Sequence, residues 1–177
     1  YAVKLGDESF KEACLFVLTG NPKVFKTPAN LRDKYRLNRQ LDDLIALIDS
    51  SKSDVIENAF SYMPKALDFA DAYYLTGDRE RAKQYANEAI AMLEKKLKES
   101  SNDERLFWAL SVAYAHAGRI NDAISYAKKT VQMVPLQTDA FVIGPFFEDN
   151  LFYVYIICGQ YDLAMDKIEW LLTIPGY

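Results

Sequence analysis

The sequence is poor in the residues from which most metal and catalytic centres are built. It has one histidine, His116, and two cysteines, Cys14 and Cys158, in 177 residues. A multi-histidine metal site is therefore excluded, and neither cysteine has a partner at metal-ligand spacing, so no metal or other cofactor is expected. Glycine (7) and proline (6) are also scarce, whereas a chain of short strands and tight turns would need many more. The glycines form neither a phosphate-cradling cluster nor a nucleophile elbow. Adjacent carboxylates such as Asp42/Asp43 and Glu148/Asp149 point about 100° apart on a helix, which suits solvation or helix-start charge better than shared chemistry. No catalytic residue is assigned.

Long apolar runs are missing too. None reaches the roughly 18 residues that span a bilayer, and no signal peptide is recognisable, so membrane insertion is not expected. The start at Tyr1 rather than Met reads as that of a fragment. Cys14 and Cys158 each lie among apolar residues, 144 positions apart (158 − 14), as buried thiols that stay reduced. A cytoplasmic location is expected on that ground. Basic excess is absent as well: 25 acidic residues against 21 basic give a net charge of −4. The most basic stretch, Arg32 to Arg39, contains Asp33 and reads as a solvated helix face, so no nucleic-acid partner is expected.

What the chain has is apolar content and a repeat. Half of its residues are hydrophobic and 26% charged, enough to bury a core of long helices. Three segments share one frame. Ala70, Tyr73 and Gly77 are followed by Ala82, Ala86 and Ala89; Ser111, Tyr114 and Gly118 by Ala123, Ala127 and Thr130; Phe152, Tyr155 and Gly159 by Ala164, Ile168 and Leu171. The glycines are 41 residues apart both times (118 − 77 and 159 − 118). A small or modest residue and an aromatic three positions on share a helical face. Glycine ends the first helix in the left-handed conformation. The small residues after it then form a flat stripe that lets the two helices approach. The product is an antiparallel helical hairpin.

The punctuation predicts helices at about 63–76, 79–99, 103–117, 120–134, 146–158 and 161–174. Ser101 and Glu104 have capping-box spacing, and Pro64 and Pro145 suit first turns. The connection 136–144 carries Phe141, Val142 and Ile143 and is expected to pack down. Upstream, residues 8–50 read as a degenerate hairpin: Ala13, Phe16 and Gly20 in its first helix, and a second helix from Pro28 to about Asp49 striped by Leu41, Leu44, Ile45 and Ile48. Asp54–Phe60 is expected to be a short linking helix. The organisation predicted is thus 1–62, a degenerate hairpin with its link, and 63–177, three regular hairpins in one continuous array.

These residues resemble the tetratricopeptide-repeat (TPR) family. The middle unit matches best, with Phe107, Leu110, Ser111, Tyr114, Ala123, Ala127 and Pro135 at the family's spacings, although Phe107 stands where the pattern has Trp, Ser111 where it has Gly, and Ala127 where it has a bulky residue. The 41-residue period also exceeds the family's 34. The resemblance implies an all-α fold, a right-handed α-solenoid of antiparallel hairpins, and no enzymatic activity of its own. It implies a concave groove on the first helices that holds a protein or peptide partner, or another domain of the same chain. By matching spacing, the groove would expose Leu67, Asp71, Tyr74, Arg105, Trp108, Val112, His116, Asp149, Tyr153 and Ile157. The lysines and asparagines of the family's carboxylate clamp are absent, which leaves an aromatic and aliphatic surface suited to a helix or an apolar peptide. His116, the one candidate for a lone base, reads more simply as a partly buried surface residue.

The phrases Met63-Pro64-Lys65-Ala66-Leu67 and Gly144-Pro145-Phe146-Phe147 are similar to TPR regions at the C-terminal end of multidomain bacterial proteins. That similarity implies an alternative, a structural or regulatory region of a signalling protein whose cyclase, kinase or transcriptional activity lies elsewhere. The final helix carries apolar residues around an arc of about 220°, wider than one packed face requires. It is therefore expected to be covered by a further helix or a second molecule, a homodimer through this helix being one form.

Overall fold

The computed structural model describes residues 28–58, 61–136 and 143–173. The chain divides into two compact units, Tyr1–Lys52 and Ser53–Tyr177. Both are mostly helical where described.

In the second unit the three frame glycines govern the course of the chain. Gly77, Gly118 and Gly159 have φ of +88°, +79° and +69°, a region that costs a residue with a Cβ about 1–2 kcal/mol. At Gly118 the closure is double: its N–H donates to Ala115 O (3.0 Å), and the Arg119 N–H donates to Tyr114 O (2.8 Å). Gly159 and Gln160 repeat it on Ile156 and Tyr155 at 3.1 and 2.8 Å. Two orphan carbonyls at each helix end are thereby satisfied within the turn. The next helix starts at once.

The elements follow as β1 (Val55–Glu57), β2 (Tyr62–Pro64), α3 (Lys65–Thr76), α4 (Arg79–Glu99), α5 (Glu104–His116), α6 (Ile120–Met133), α7 (Ile143–Ile157) and α8 (Tyr161–Leu171). The six helices lie within three residues of their expected bounds, and α4 runs on to Glu99 because no proline stops it. Its N-cap is Asp78, whose side chain accepts from the Arg81 N–H (3.0 Å). The expected cap of α5 is displaced: Asp103 takes that place rather than Ser101, its carboxylate accepting from the Arg105 N–H at 3.0 Å. Of the connection expected to pack down, Ile143 opens α7, whereas Phe141 and Val142 lie outside the described residues.

Packing follows the frame. Ala82, Ala86 and Ala89 of α4, Ala123, Ala127 and Thr130 of α6, and Ala164 and Leu171 of α8 are all buried, so α4 lies close on α3, α6 on α5 and α8 on α7. Successive hairpins meet as α4 on α5 and α6 on α7, and the first helices also touch, α3 with α5 and α5 with α7. Helix α5, central to these contacts, is buried from Leu106 to His116.

Two expectations are corrected. Residues 55–57 form no linking helix but pair antiparallel with residues 62–64, Ile56 opposite Met63. β-branched Val55 and Ile56 favour the strand. Asn58 turns the chain, its N–H donating to Ser61 O (3.0 Å) and its Oδ1 accepting from the Ser61 N–H (2.9 Å). In the first unit the helix expected from Pro28 to Asp49 is two, α1 (Pro28–Leu37) and α2 (Leu41–Ser50). Arg39 between them has φ +57°; its N–H donates to Arg36 O (3.1 Å) and that of Gln40 to Tyr35 O (2.9 Å), the closure made by the glycines. Tyr35 precedes it by four residues, as Tyr73, Tyr114 and Tyr155 precede theirs. Leu44 and Ile48, fully buried, stand where Ala82 and Ala86 do. Residues 28–50 therefore carry the frame with arginine in place of glycine. The helix expected around Ala13, Phe16 and Gly20 lies outside the described residues, as does Cys14.

Two variants test this packing. Ala123→Glu places a charge where no space or partner exists and should cost several kcal/mol, roughly 3 or more; an unchanged melting curve would refute the close contact. Arg39→Gly relieves the left-handed strain and should stabilise the α1–α2 pair by about 1 kcal/mol. That gain is readable as roughly fivefold greater amide-exchange protection in α2, and unchanged protection would show that Arg39 bears no strain.

Candidate binding face of the first helices

The frame brings α3, α5 and α7 side by side, and the ten residues expected on their inner face separate into groups. Leu67, Trp108, Val112 and His116 are buried, contrary to the expectation that they line an open surface. The reason is local. Trp108 packs against Phe146 of α7, ring centroids 5.2 Å apart, and the His116 ring lies 4.9 Å from that of Tyr74. Each large side chain fills the gap beside a neighbouring first helix. Asp71, Tyr74, Arg105, Tyr153 and Ile157 are half-buried and Asp149 is exposed.

Three of the ten meet at one carboxylate. The Tyr153 hydroxyl of α7 donates to Asp71 Oδ1 of α3, and Nε2 of His116, on α5 between them, is 3.3 Å from the same oxygen. The His116 side chain is fully buried, so the expected surface histidine is an interior one. Neither ring nitrogen makes a hydrogen bond of good geometry, at a cost of about 1–3 kcal/mol for each polar atom left so. Tyr74 continues the cluster outward: the Arg79 guanidinium lies 3.5 Å from its ring centroid and donates to its carbonyl oxygen (3.2 Å). Three hairpins are thus pinned by polar contacts through one site.

Arg105 does other work. It donates to Asp103 through Nε (3.0 Å) and Nη2 (2.8 Å), and to the Asn58 carbonyl and Glu57 carboxylate of the β-hairpin at 2.6 and 3.3 Å. The Arg105 guanidinium holds the Asp103 carboxyl below the usual carboxylate range, and Asp103 in turn raises that of Arg105. This is a clasp between the β-hairpin and the start of α5, rather than a groove position.

Sequence reasoning missed several participants. Phe146, 36% exposed, extends the aromatic side of the face. Buried Asn150 donates to Ser111 Oγ (3.1 Å), which itself donates to Trp108 O (2.7 Å). The Lys167 ammonium of α8 pairs with buried Glu148 of α7. Glu148, expected as a solvated or helix-start carboxylate, is instead buried and paired; the signal was that it and Asn150 interrupt the apolar residues around Leu151. Among the described residues no three His, Cys, Asp or Glu side chains converge as a metal would require, and no helix is long and apolar enough to cross a membrane. Burial raises the Cys158 thiol.

Comparisons with protein-family models, with curated proteins and with solved structures give no match.

The clasp makes a pH prediction. A carboxyl lowered by folding stabilises the protein above its unfolded value of 3.8, and that contribution is lost as pH falls through the lower folded value. Asp103→Asn keeps a capping oxygen and removes the charge. It should lower stability at pH 7 by about 1 kcal/mol and flatten the decline below pH 4. Parallel acid-unfolding curves for the variant and the parent would exclude the clasp as a contributor.

Proposed function

We propose that the chain is a non-enzymatic protein-interaction module, a TPR-like right-handed solenoid whose first helices present a binding face to a partner's helix or peptide. The observation that carries this reading is the direct side-by-side contact of α3, α5 and α7, which sets the accessible parts of Phe146, Asp149, Tyr153 and Ile157 of α7 and of Tyr74 of α3 on either side of buried α5. Because Trp108 is buried, the face is shallower than an open groove, and its anchors are Phe146, Tyr153 and Ile157. Aromatic anchors contribute disproportionately to interfaces, and Asp149 adds a charge that favours a cationic flank on the ligand.

A second reading has support from the same packing. The chain's own side chains bury Leu67, Trp108, Val112 and His116, as in a rigid regulatory or structural region of a larger bacterial signalling protein. Selection from a displayed library of amphipathic helical peptides decides between them. The binding reading expects enriched binders whose affinity falls at least about tenfold in Phe146→Asp with Ile157→Asp, a loss of about 1.4 kcal/mol. Helicity should be unchanged, and Lys128→Ala on exposed α6 surface should bind as the parent does. An absence of binders, or binders indifferent to the double variant, would favour the rigid-region reading.

A further inference from the structure

His116 is the only imidazole in the chain, and imidazole is the side chain whose ordinary titration falls near neutral pH. It stands where three hairpins meet. Its side chain has no accessible surface, and Nε2 lies 3.3 Å from Asp71 Oδ1, the oxygen that also accepts from the Tyr153 hydroxyl. The Asp71 side chain keeps 13% of its surface exposed, so the pair sits at the edge of the interior, within reach of water.

The titratable and charged groups around the ring come from every helix packed on α5. From α3 come Asp71 and Tyr74, and from α7 comes Tyr153. Arg79, which opens α4, stacks on Tyr74, and at the start of α6 Arg119 and Asp122 pair with each other at 2.8 Å. The β-hairpin is bound at the other end of α5, through Arg105. Asp71 is the charge that meets a ring nitrogen. A carboxylate can only accept, and the neutral ring offers one N–H. With that proton on Nδ1, the Nε2 lone pair confronts the carboxylate; with it on Nε2, the contact is a neutral donor in poor geometry. The imidazolium donates from both nitrogens, and a charge-assisted bond is roughly twice as strong as a neutral one. Burial opposes the charge, whereas an opposite charge within about 4–6 Å favours it. Here the carboxylate is already in place and partly hydrated, so the attraction prevails.

We propose that His116 is a proton-operated latch: protonation draws its ring onto Asp71 and tightens the hold of α3, α5 and α7 on one another, and loss of the proton loosens it. The latch rests on the meeting of Asp71, His116 and Tyr153 and does not depend on any ligand of that face. A proton held more tightly by the folded chain stabilises it at low pH, and that contribution fades as pH rises. The three first helices are therefore firmer on the acid side of neutrality.

Amide hydrogen exchange of the full chain, corrected for the intrinsic pH dependence of exchange, tests the proposal. Protection of the α3 and α7 amides should be at least about threefold greater at roughly pH 5.5 than at roughly pH 8. The single imidazole proton resonance should change over the same pH interval as those amides. His116→Gln and Asp71→Asn, the second of which keeps an acceptor for the Tyr153 hydroxyl, should each abolish the gain. Because the gain is a ratio within one variant, an overall loss of stability does not imitate it. Equal protection of the parent at the two pH values would overturn the proposal, as would lower protection in acid, the mark of burial prevailing over the carboxylate. A gain that persists in either variant, or an imidazole resonance that does not change while the parent stays folded, would overturn it too.

Discussion

Everything in the second unit depends on how closely two helices can lie after a reversal of only a few residues. A residue in the left-handed conformation allows the reversal, because it turns the chain while the N–H groups beyond it satisfy carbonyls of the helix just ended. That turn alone would leave the helices splayed if the second carried large side chains at its first inward positions. Ala82 and Ala86, and Ala123 and Ala127, are fully or almost fully buried, so backbone and aromatic side chains of the first helix occupy the space instead. Tyr114 shows the consequence. It is buried, its ring meets that of Tyr126 edge-on at 5.1 Å, and its hydroxyl reaches Glu94 at 2.8 Å. Burial and the neighbouring Glu94 together raise its phenol above the ordinary range.

Between hairpins the constraint is polar as well as apolar. Close-packed aliphatic faces tolerate small slips, whereas a hydroxyl and a carboxylate on different helices must meet within hydrogen-bond distance. Tyr153 and Asp71 are 82 positions apart in sequence and meet across α5, and Asn150 of α7 bonds Ser111 of α5, 39 positions away. These bonds favour one register of α7 against α5 and α3. His116 beside them adds a polar contact from α5, its Nε2 3.3 Å from the same Asp71 oxygen.

What could be read from the sequence is what repeats. The three glycines, the small residues after them and the tyrosines before them located six helices, because each role recurs at a fixed offset and each has a local physical cause. The first unit escaped because its closing residue is Arg39: the tyrosine and the inward pair Leu44 and Ile48 kept their offsets, but a glycine-based search passes over an arginine that tolerates φ +57°. The β-hairpin escaped because three-residue strands carry too little periodicity to separate from a helical turn. At the inner face the sequence placed Asp71, His116 and Tyr153 on neighbouring helices, which is why they meet. It could not tell an open groove from a filled one. Whether Trp108 faces solvent depends on Phe146, 38 positions away, and spacing within a helix says nothing of the next helix's side chains.

A filled inner face shifts where an array of this kind can interact. In stacked hairpins each unit is stabilised mainly by its neighbours, so the central one is held from both sides and a terminal one from a single side. Residues that bridge α3, α5 and α7 resist insertion of a ligand, since entry would break the Tyr153–Asp71 bond and expose Trp108. On the proposed binding reading, a ligand would rest on the accessible parts of Phe146, Tyr153 and Ile157 without parting the helices. At α8 the energetics run the other way. Covering Met165 and Leu172 removes apolar surface at about 25 cal/mol per Å² without parting any of the described helices. It would also hold the α7–α8 hairpin from its second side, so any helix bound there should slow the opening of α7 and α8 more than that of the already sandwiched α5.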